Sequence, residues 1–337
     1  MNCSFPMLCL GLAALVDSMA GADCNLTAVS TAIDRGNLAA AEAGLRALET
    51  SRQPCDEALL QTGRLRLAQG NLPAAEDLFF RYINAAPKDA RGYYQIAALS
   101  FAKGDYQRAD TFSTTALTYN PDYAEALVIQ GSLLGLKGES GGAQTVLKRA
   151  CKLKPGDPLA HFELGMIYDR LKSYPEAVAA FERVIALNPR HAQAWDYLGL
   201  NLEPLGQIEK ADAAFRRALE VNQGRWADNF LDYNYGRFLF KQNRLEQSRL
   251  HLDRALERAP GVRAVHYEHA KLSLRMRNLA VARRDAEKAL AIPDRSGVII
   301  DLQIYYLLQQ IYTQGGETAL AQKYAELSRT TAVPKRR

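Results

Sequence analysis

The side chains with which this sequence could do chemistry are few and widely spaced. Its five histidines are His161, His191, His251, His266 and His269. No His-Glu-x-x-His, paired Cys-x-x-Cys, Gly-rich phosphate loop or Gly-x-Ser-x-Gly accompanies them. Two of them come close together in the stretch His266-Tyr267-Glu268-His269. On a helix these imidazoles stand near enough to share a metal, provided a third ligand is at hand. Glu268 is the neighbour of the right type, but helical spacing turns it to another side. Both histidines therefore read as structural groups in a packed interface, and no metal, cofactor or catalytic residue is expected. Of the five cysteines, Cys3 and Cys9 fall in the N-terminal stretch and Cys24, Cys55 and Cys151 follow. Cys151, beside Ala150, reads as a small buried residue.

The first residues read as a targeting segment. Phe5 to Val16 is an apolar run, too short to cross a bilayer, and Ala20-Gly21-Ala22 offers small residues where signal peptidase cleaves. The preceding Met-Asn-Cys-Ser-Phe-Pro carries no Lys or Arg, and Asp23 stands where a lipobox has a small residue. A signal peptide over 1–22 and a periplasmic or secreted destination are expected, with a cytoplasmic chain as the alternative. No stable membrane insertion is expected elsewhere. Composition is that of a helical chain, with 48% hydrophobic and 23% charged residues. A net charge of +5 is too mild to imply nucleic acid. It is unevenly spread: 19 Lys/Arg face 12 Asp/Glu from Trp226 onward, against 23 and 25 before it. The basic half suits an acidic partner or an anionic surface, or is simply a solvated helical face.

The elements that must carry these residues repeat. Ala194 to Phe215 contains Trp195, Leu198, Gly199, Leu202, Ala211 and Phe215. A step of 34 residues backward meets Leu164, Gly165, Tyr168, Ala177 and Phe181, and the next meets Gly131, Leu134, Ala143 and Leu147. The register continues through Tyr93, Ala97 and Ala109, then Gly63, Ala75 and Phe79, and reaches Ala41 and Leu45. After two small insertions it resumes at Tyr235, Gly236, Leu239 and Ala255, at Ala270, Ala282 and Ala289, and at Tyr312, Ala321 and Ala325. Small residues midway along each first helix, and alanines on each second helix, let two antiparallel helices approach closely. Prolines at 87, 121, 155, 189 and 260 follow the second helices and end each unit. A lone hairpin buries too little apolar surface to offset the entropy of ordering it, so the pairs must stack on one another. Val29 and Gln309 stand where the other units have a small residue, which suits terminal caps.

This pattern resembles the tetratricopeptide repeat (TPR) family. The resemblance implies an all-α, right-handed superhelical solenoid of about nine helix-turn-helix units over 23–335, starting near 22, 56, 90, 124, 158, 192, 229, 263 and 302, with a basic tail at 336–337. It also implies a concave wall of first helices that holds an extended peptide or a partner helix. Positions facing away from the paired second helix are Tyr94, Phe101, Phe162, Asp169, Tyr233, Arg237, Phe240, Tyr267, Lys271 and Tyr306. Asn234, Arg237, Glu268 and Lys271 form a polar cluster suited to an acidic or amide group, or to a salt bridge of its own. The Lys/Asn set by which some TPR modules grip a C-terminal carboxylate is absent, since Leu60, Tyr94 and Val128 occupy the first basic position. Trp226 falls in a lengthened loop, where it either staples two units or meets a partner. In an antiparallel first hairpin Cys24 and Cys55 lie at neighbouring ends, so an oxidising compartment would favour a disulfide between them. The function expected is a noncatalytic scaffold binding a protein or peptide, in envelope or surface-complex assembly. A cytoplasmic adaptor and an accessory subunit of a separately encoded glycosyltransferase or peptidase are the alternatives, and the oligomeric state is left open.

Overall fold

The computed structural model describes residues 26–50, 55–222, 230–293 and 297–332. Cys24, Trp226 and the expected signal segment lie outside the described residues. Among those described there are eighteen helices and no strand, so the all-helical repeat expected from the sequence is the fold observed. Two compact units divide the chain, the first ending at Ile167 and the second beginning at Tyr168. The first contains α1 (Thr27–Asp34), α2 (Leu38–Thr50), α3 (Asp56–Ala68), α4 (Leu72–Ala85), α5 (Ala90–Ala102), α6 (Tyr106–Tyr119), α7 (Ala124–Leu136), α8 (Ser140–Leu153) and most of α9 (Pro158–Arg170). The second contains the last turn of α9, then α10 (Tyr174–Leu187), α11 (Ala192–Leu202), α12 (Ile208–Asn222), α13 (Phe230–Lys241), α14 (Leu245–Arg258), α15 (Arg263–Arg275), α16 (Leu279–Ala291), α17 (Asp301–Gln314) and α18 (Thr318–Ala332).

One tight turn joins the two helices of a pair. After α5, Gly104 takes φ +77° and its N–H donates to Phe101 O at 3.0 Å, while Asp105 N–H donates to Ser100 O at 2.9 Å. These are the crossed bonds that satisfy the last carbonyls of a helix. The same Asp105 turns its carboxylate onto the N–H of Arg108 at 3.1 Å and so caps α6. Where glycine is missing the turn persists: Lys172, Asn243 and Arg277 adopt φ of 57° to 59°, and Ser173, Arg244 and Asn278 donate backward at 2.9 Å as Asp105 does.

Four pairs close on a trade of volume sixteen residues apart. A methyl added at Gly63 would stand 2.5 Å from Phe79, at Gly199 2.9 Å from Phe215, and at Gly236 2.8 Å from Leu252; Gly131 is likewise filled by Leu147. Where the first helix has Ala97 or Ala270, the residue sixteen further on is small, Ser113 or Ala286, and all four are fully buried. The opening pair reverses the trade at an interval of fifteen, with Val29 on the first helix filling the space that Gly44 leaves on the second. Val29 thus replaces the usual small residue without loosening the pair.

A second recurring contact ties four of the units to the turn before them. The side chain six residues after the proline donates to that proline's carbonyl: Tyr93 to Pro87 at 2.9 Å and Trp195 to Pro189 at 3.0 Å. His161 and His266 make the same bond through Nε2, to Pro155 at 3.1 Å and Pro260 at 3.0 Å. Aromatic and imidazole rings are interchangeable here because the position needs a flat apolar body with one polar tip.

Candidate functional site

In the first unit the first helices α1, α3, α5 and α7 line a groove of about 1410 Å3. Its apolar surface comes from Leu60, Tyr94, Phe101, Val128 and Ile129. Tyr94 meets Tyr123 edge to face at 5.2 Å, and Phe101 leans on Tyr106 at 5.5 Å, so both rings are held in place. Burial, with Glu125 and Asp157 nearby, pushes the Tyr94 hydroxyl up to about 12, so it stays a neutral donor and acceptor.

Charges are fixed around these rings. Arg91 Nη1 lies 2.7 Å from Glu57, its position-mate on the preceding first helix 34 residues earlier, and Nη2 lies 2.7 Å from Asp89. Asp89 also accepts the Tyr82 hydroxyl at 2.6 Å and the N–H of Arg91 at 2.9 Å. Burial opposes its charge, but the bonds from Arg91 and Tyr82 outweigh that and hold Asp89 below the usual carboxylate range. Arg64 pairs with Asp34 at 2.5 Å and Lys154 with Glu125 at 2.6 Å. Five carboxylates and three cations line the groove in all. Each cation is bound to a carboxylate of the wall, which leaves the acidic groups Asp56 and Asp157 in excess. This charged frame is absent from the sequence-derived site; the signal for it was the alternation Glu57, Arg91, Glu125 at the repeat interval.

In the second unit α13, α15 and α17 line a smaller groove of about 810 Å3. Phe240 and Lys271 belong to its wall, and the Lys271 ammonium sits 5.3 Å from the rings of both Phe240 and Tyr267. Lys271 also pairs with Glu268 at 2.8 Å. The rest of the polar cluster is engaged from outside it: Asn234 donates to Asp196 at 2.8 Å, and the Arg237 guanidinium lies 5.8 Å over the Tyr233 ring.

Other sequence-derived positions fall differently. Tyr233 is only 6% exposed and packs with Leu252, Val265 and Leu272, so it is a core residue where an open wall was expected. Tyr306 is 48% exposed, yet the groove is met on α17 by Leu307, Gln310 and Gln314, one residue out of step with it. Phe162 and Asp169 are half-buried on α9 and line neither groove. Burial raises the Asp169 carboxyl, and a hydrogen bond from Asn201 works against that rise.

The histidine pair is accounted for by packing. His269 Nδ1 lies 2.6 Å from Asp285 and Nε2 3.0 Å from Asp253, while His266 Nδ1 stands 3.4 Å from Asp285. Among the described residues no group of three His, Cys, Asp or Glu side chains is arranged to hold a metal ion. Glu268, expected to face elsewhere, turns to Lys271. Cys55 packs with Leu26, Val29, Ala41, Leu45 and Leu65 at the start of α3. Cys151 is a free thiol, half-buried, and burial pushes it up to about 11. No described helix is long and apolar enough to cross a membrane.

Stacked helix pairs with grooves along their first helices define an all-helical repeat protein of the kind that binds other polypeptides. Tetratricopeptide repeat families match residues 26–90 and 198–263, residues 90–123, and residues 158–191. Together these matches span more than half of the sequence, and the chain belongs to the tetratricopeptide repeat family. Anaphase-promoting complex subunit 3 of Schizosaccharomyces pombe is 25% identical over 62% of this chain and 30% of its own length. The probable biofilm formation methyltransferase WspC of Pseudomonas putida is 34% identical over 32% of this chain and 25% of its own length. The chain thus spans less than a third of either relative. Among solved structures, the APC/C hetero-tetramer Cut9-Hcn1 aligns with a TM-score of 0.62 over 76% of this chain and 52% of that one, at 17% identity. PilW, a widely conserved type IV pilus biogenesis factor, aligns at 0.56 over 63% of this chain and 95% of its own, at 19% identity. At such identities the likeness shows the fold alone.

Proposed function

We propose that this protein is a noncatalytic scaffold that holds a partner polypeptide along its first helices, with the groove of the first unit as the principal seat. The observation that carries this reading is a groove of about 1410 Å3 in which Tyr94 and Phe101 are immobilised beside hydrogen-bonded charges. Rigid aromatic side chains lose little entropy on binding and serve as anchors. The paired charges present donors and acceptors in fixed positions to an extended backbone, and the excess of carboxylates favours a segment bearing Lys or Arg. Replacing Tyr94 and Phe101 together by Ala is expected to abolish capture of the native partner while helicity by circular dichroism is unchanged. Undiminished capture would place the interface elsewhere.

We propose further that the scaffold works outside the cytoplasm, in assembly of an envelope or surface complex. The apolar run ending before Ala20-Gly21-Ala22 supports this. So does the position of Cys55 beside Leu26, two residues from Cys24, because a disulfide there would pin the ends of the first hairpin. The intact mass of the native protein, with and without reductant, is expected to lack residues 1–22 and to rise by two hydrogens on reduction. An unprocessed, fully reduced chain would favour the cytoplasmic adaptor instead.

A further inference from the structure

We infer that the groove of the second unit is a separate docking site of opposite charge, made for an acidic amphipathic segment of a partner polypeptide. This rests on the reading of the first-helix wall as polypeptide-binding, but on different residues. Lys271, Arg275 and Arg277 bring three cations to the groove, and no carboxylate lines it. Lys271 shares its charge with Glu268, whereas Arg275 and Arg277 make no ion pair among the described residues and are exposed. Arg277 stands at the turn after α15 with φ +59°, a left-handed conformation that costs an ordinary side chain energy.

The two charges without an ion pair, Arg275 and Arg277, stand two residues apart and repel one another, and anionic side chains entering the groove relieve that repulsion. The groove's apolar floor is lined by Phe240, Leu274, Leu279 and Leu307. Such a floor takes the Leu or Val side chains of a peptide. Single-stranded nucleic acid would instead call for several aromatic stacking platforms and a longer basic track. The grooves therefore sort partners by sign: excess carboxylates in the first unit repel the segment that the second unit attracts.

The test uses the full chain and two fluorescein-labelled peptides of the same length, one of alternating Leu and Glu and one of alternating Leu and Lys, read by anisotropy, with a single-stranded thymidine oligonucleotide alongside. The Leu/Glu peptide is expected to bind, more weakly as salt is raised. Arg275→Gln with Arg277→Asn is expected to weaken it about three- to tenfold, the loss of two exposed charge pairs. Asn tolerates the left-handed turn, so this variant keeps its fold. Gln310, exposed on α17, gives an independent probe: Gln310→Glu should weaken the Leu/Glu peptide and Gln310→Lys should strengthen it. None of these variants should change binding of the Leu/Lys peptide. A Leu/Glu peptide that fails to bind, or whose binding ignores both sets of substitutions, overturns the inference. Equal binding of the oligonucleotide with the same losses would overturn it in favour of a phosphate backbone. Retained Leu/Lys binding in either case shows that the polypeptide-binding reading survives, and loss of both peptides shows that it has fallen as well.

Discussion

Gly131 and Leu147 show what a single position contributes. The leucine side chain occupies the space a methyl on residue 131 would need, so Gly131→Ala must push Leu147 out of a fully buried site. We expect that substitution to cost about 1–3 kcal/mol in chemical denaturation, since overpacking outweighs the gain in helix propensity. With Leu147→Ala already in place the same change should be neutral or stabilising, because the clash is gone and alanine favours helix over glycine by about 1 kcal/mol. An equal penalty in both backgrounds would refute the volume trade. The partners Gly63 with Phe79, Gly199 with Phe215 and Gly236 with Leu252 can be read from the sequence once the interval of sixteen is sought. Matching like residues between repeats finds the small positions but hides the large ones that fill them. Tyr233 was illegible for another reason: helical spacing gives the direction in which a side chain leaves its helix, and says nothing of how far Arg237 and the next helix cover it.

Helices dock through a few polar posts set into these apolar seams. Between α14, α15 and α16 the post is Asp285, 2% exposed and faced by His266, His269 and Arg284, with Asp253 beyond His269. Burial opposes its charge, yet hydrogen bonds from these groups more than compensate and hold it far below the usual carboxylate range. A carboxyl whose folded value is depressed stabilises fully above its unfolded value and loses that contribution as pH falls toward the folded one. Asp285→Asn should therefore cost about 3 kcal/mol near neutrality, and the gap from the wild type should close in acid, beginning below about pH 4. Urea unfolding midpoints of the two proteins measured across that range check this; a gap independent of pH would mean that shape alone is at stake. The sequence shows His266 and His269 close together with only Glu268 beside them, and gives no sign that the fold brings Asp285 to both. Their partners, an aspartate sixteen residues further along and the carbonyl of a preceding proline, needed the helices to be docked first.

For the molecule as a whole, the repeat pattern was the most legible feature, because most units restate the same small residues and alanines at a fixed interval, and five of them end on a proline. The ligand surface was the least legible. Function in such a scaffold resides in positions that the repeat leaves free, and their neighbours lie a full unit away in sequence. The pair Glu57 and Arg91 illustrates this, since each looks like an ordinary surface charge until the stack brings the two within 2.7 Å. The central claim, that the first unit holds a polypeptide along its first helices, is tested most directly by photocrosslinking from single positions in the native organism. A crosslinker at Gln95, inside the groove, is expected to capture a discrete partner, and one at Lys148, an exposed residue of α8 outside the groove lining, is expected to capture none. Equal capture from both, or capture from Lys148 alone, would contradict the account.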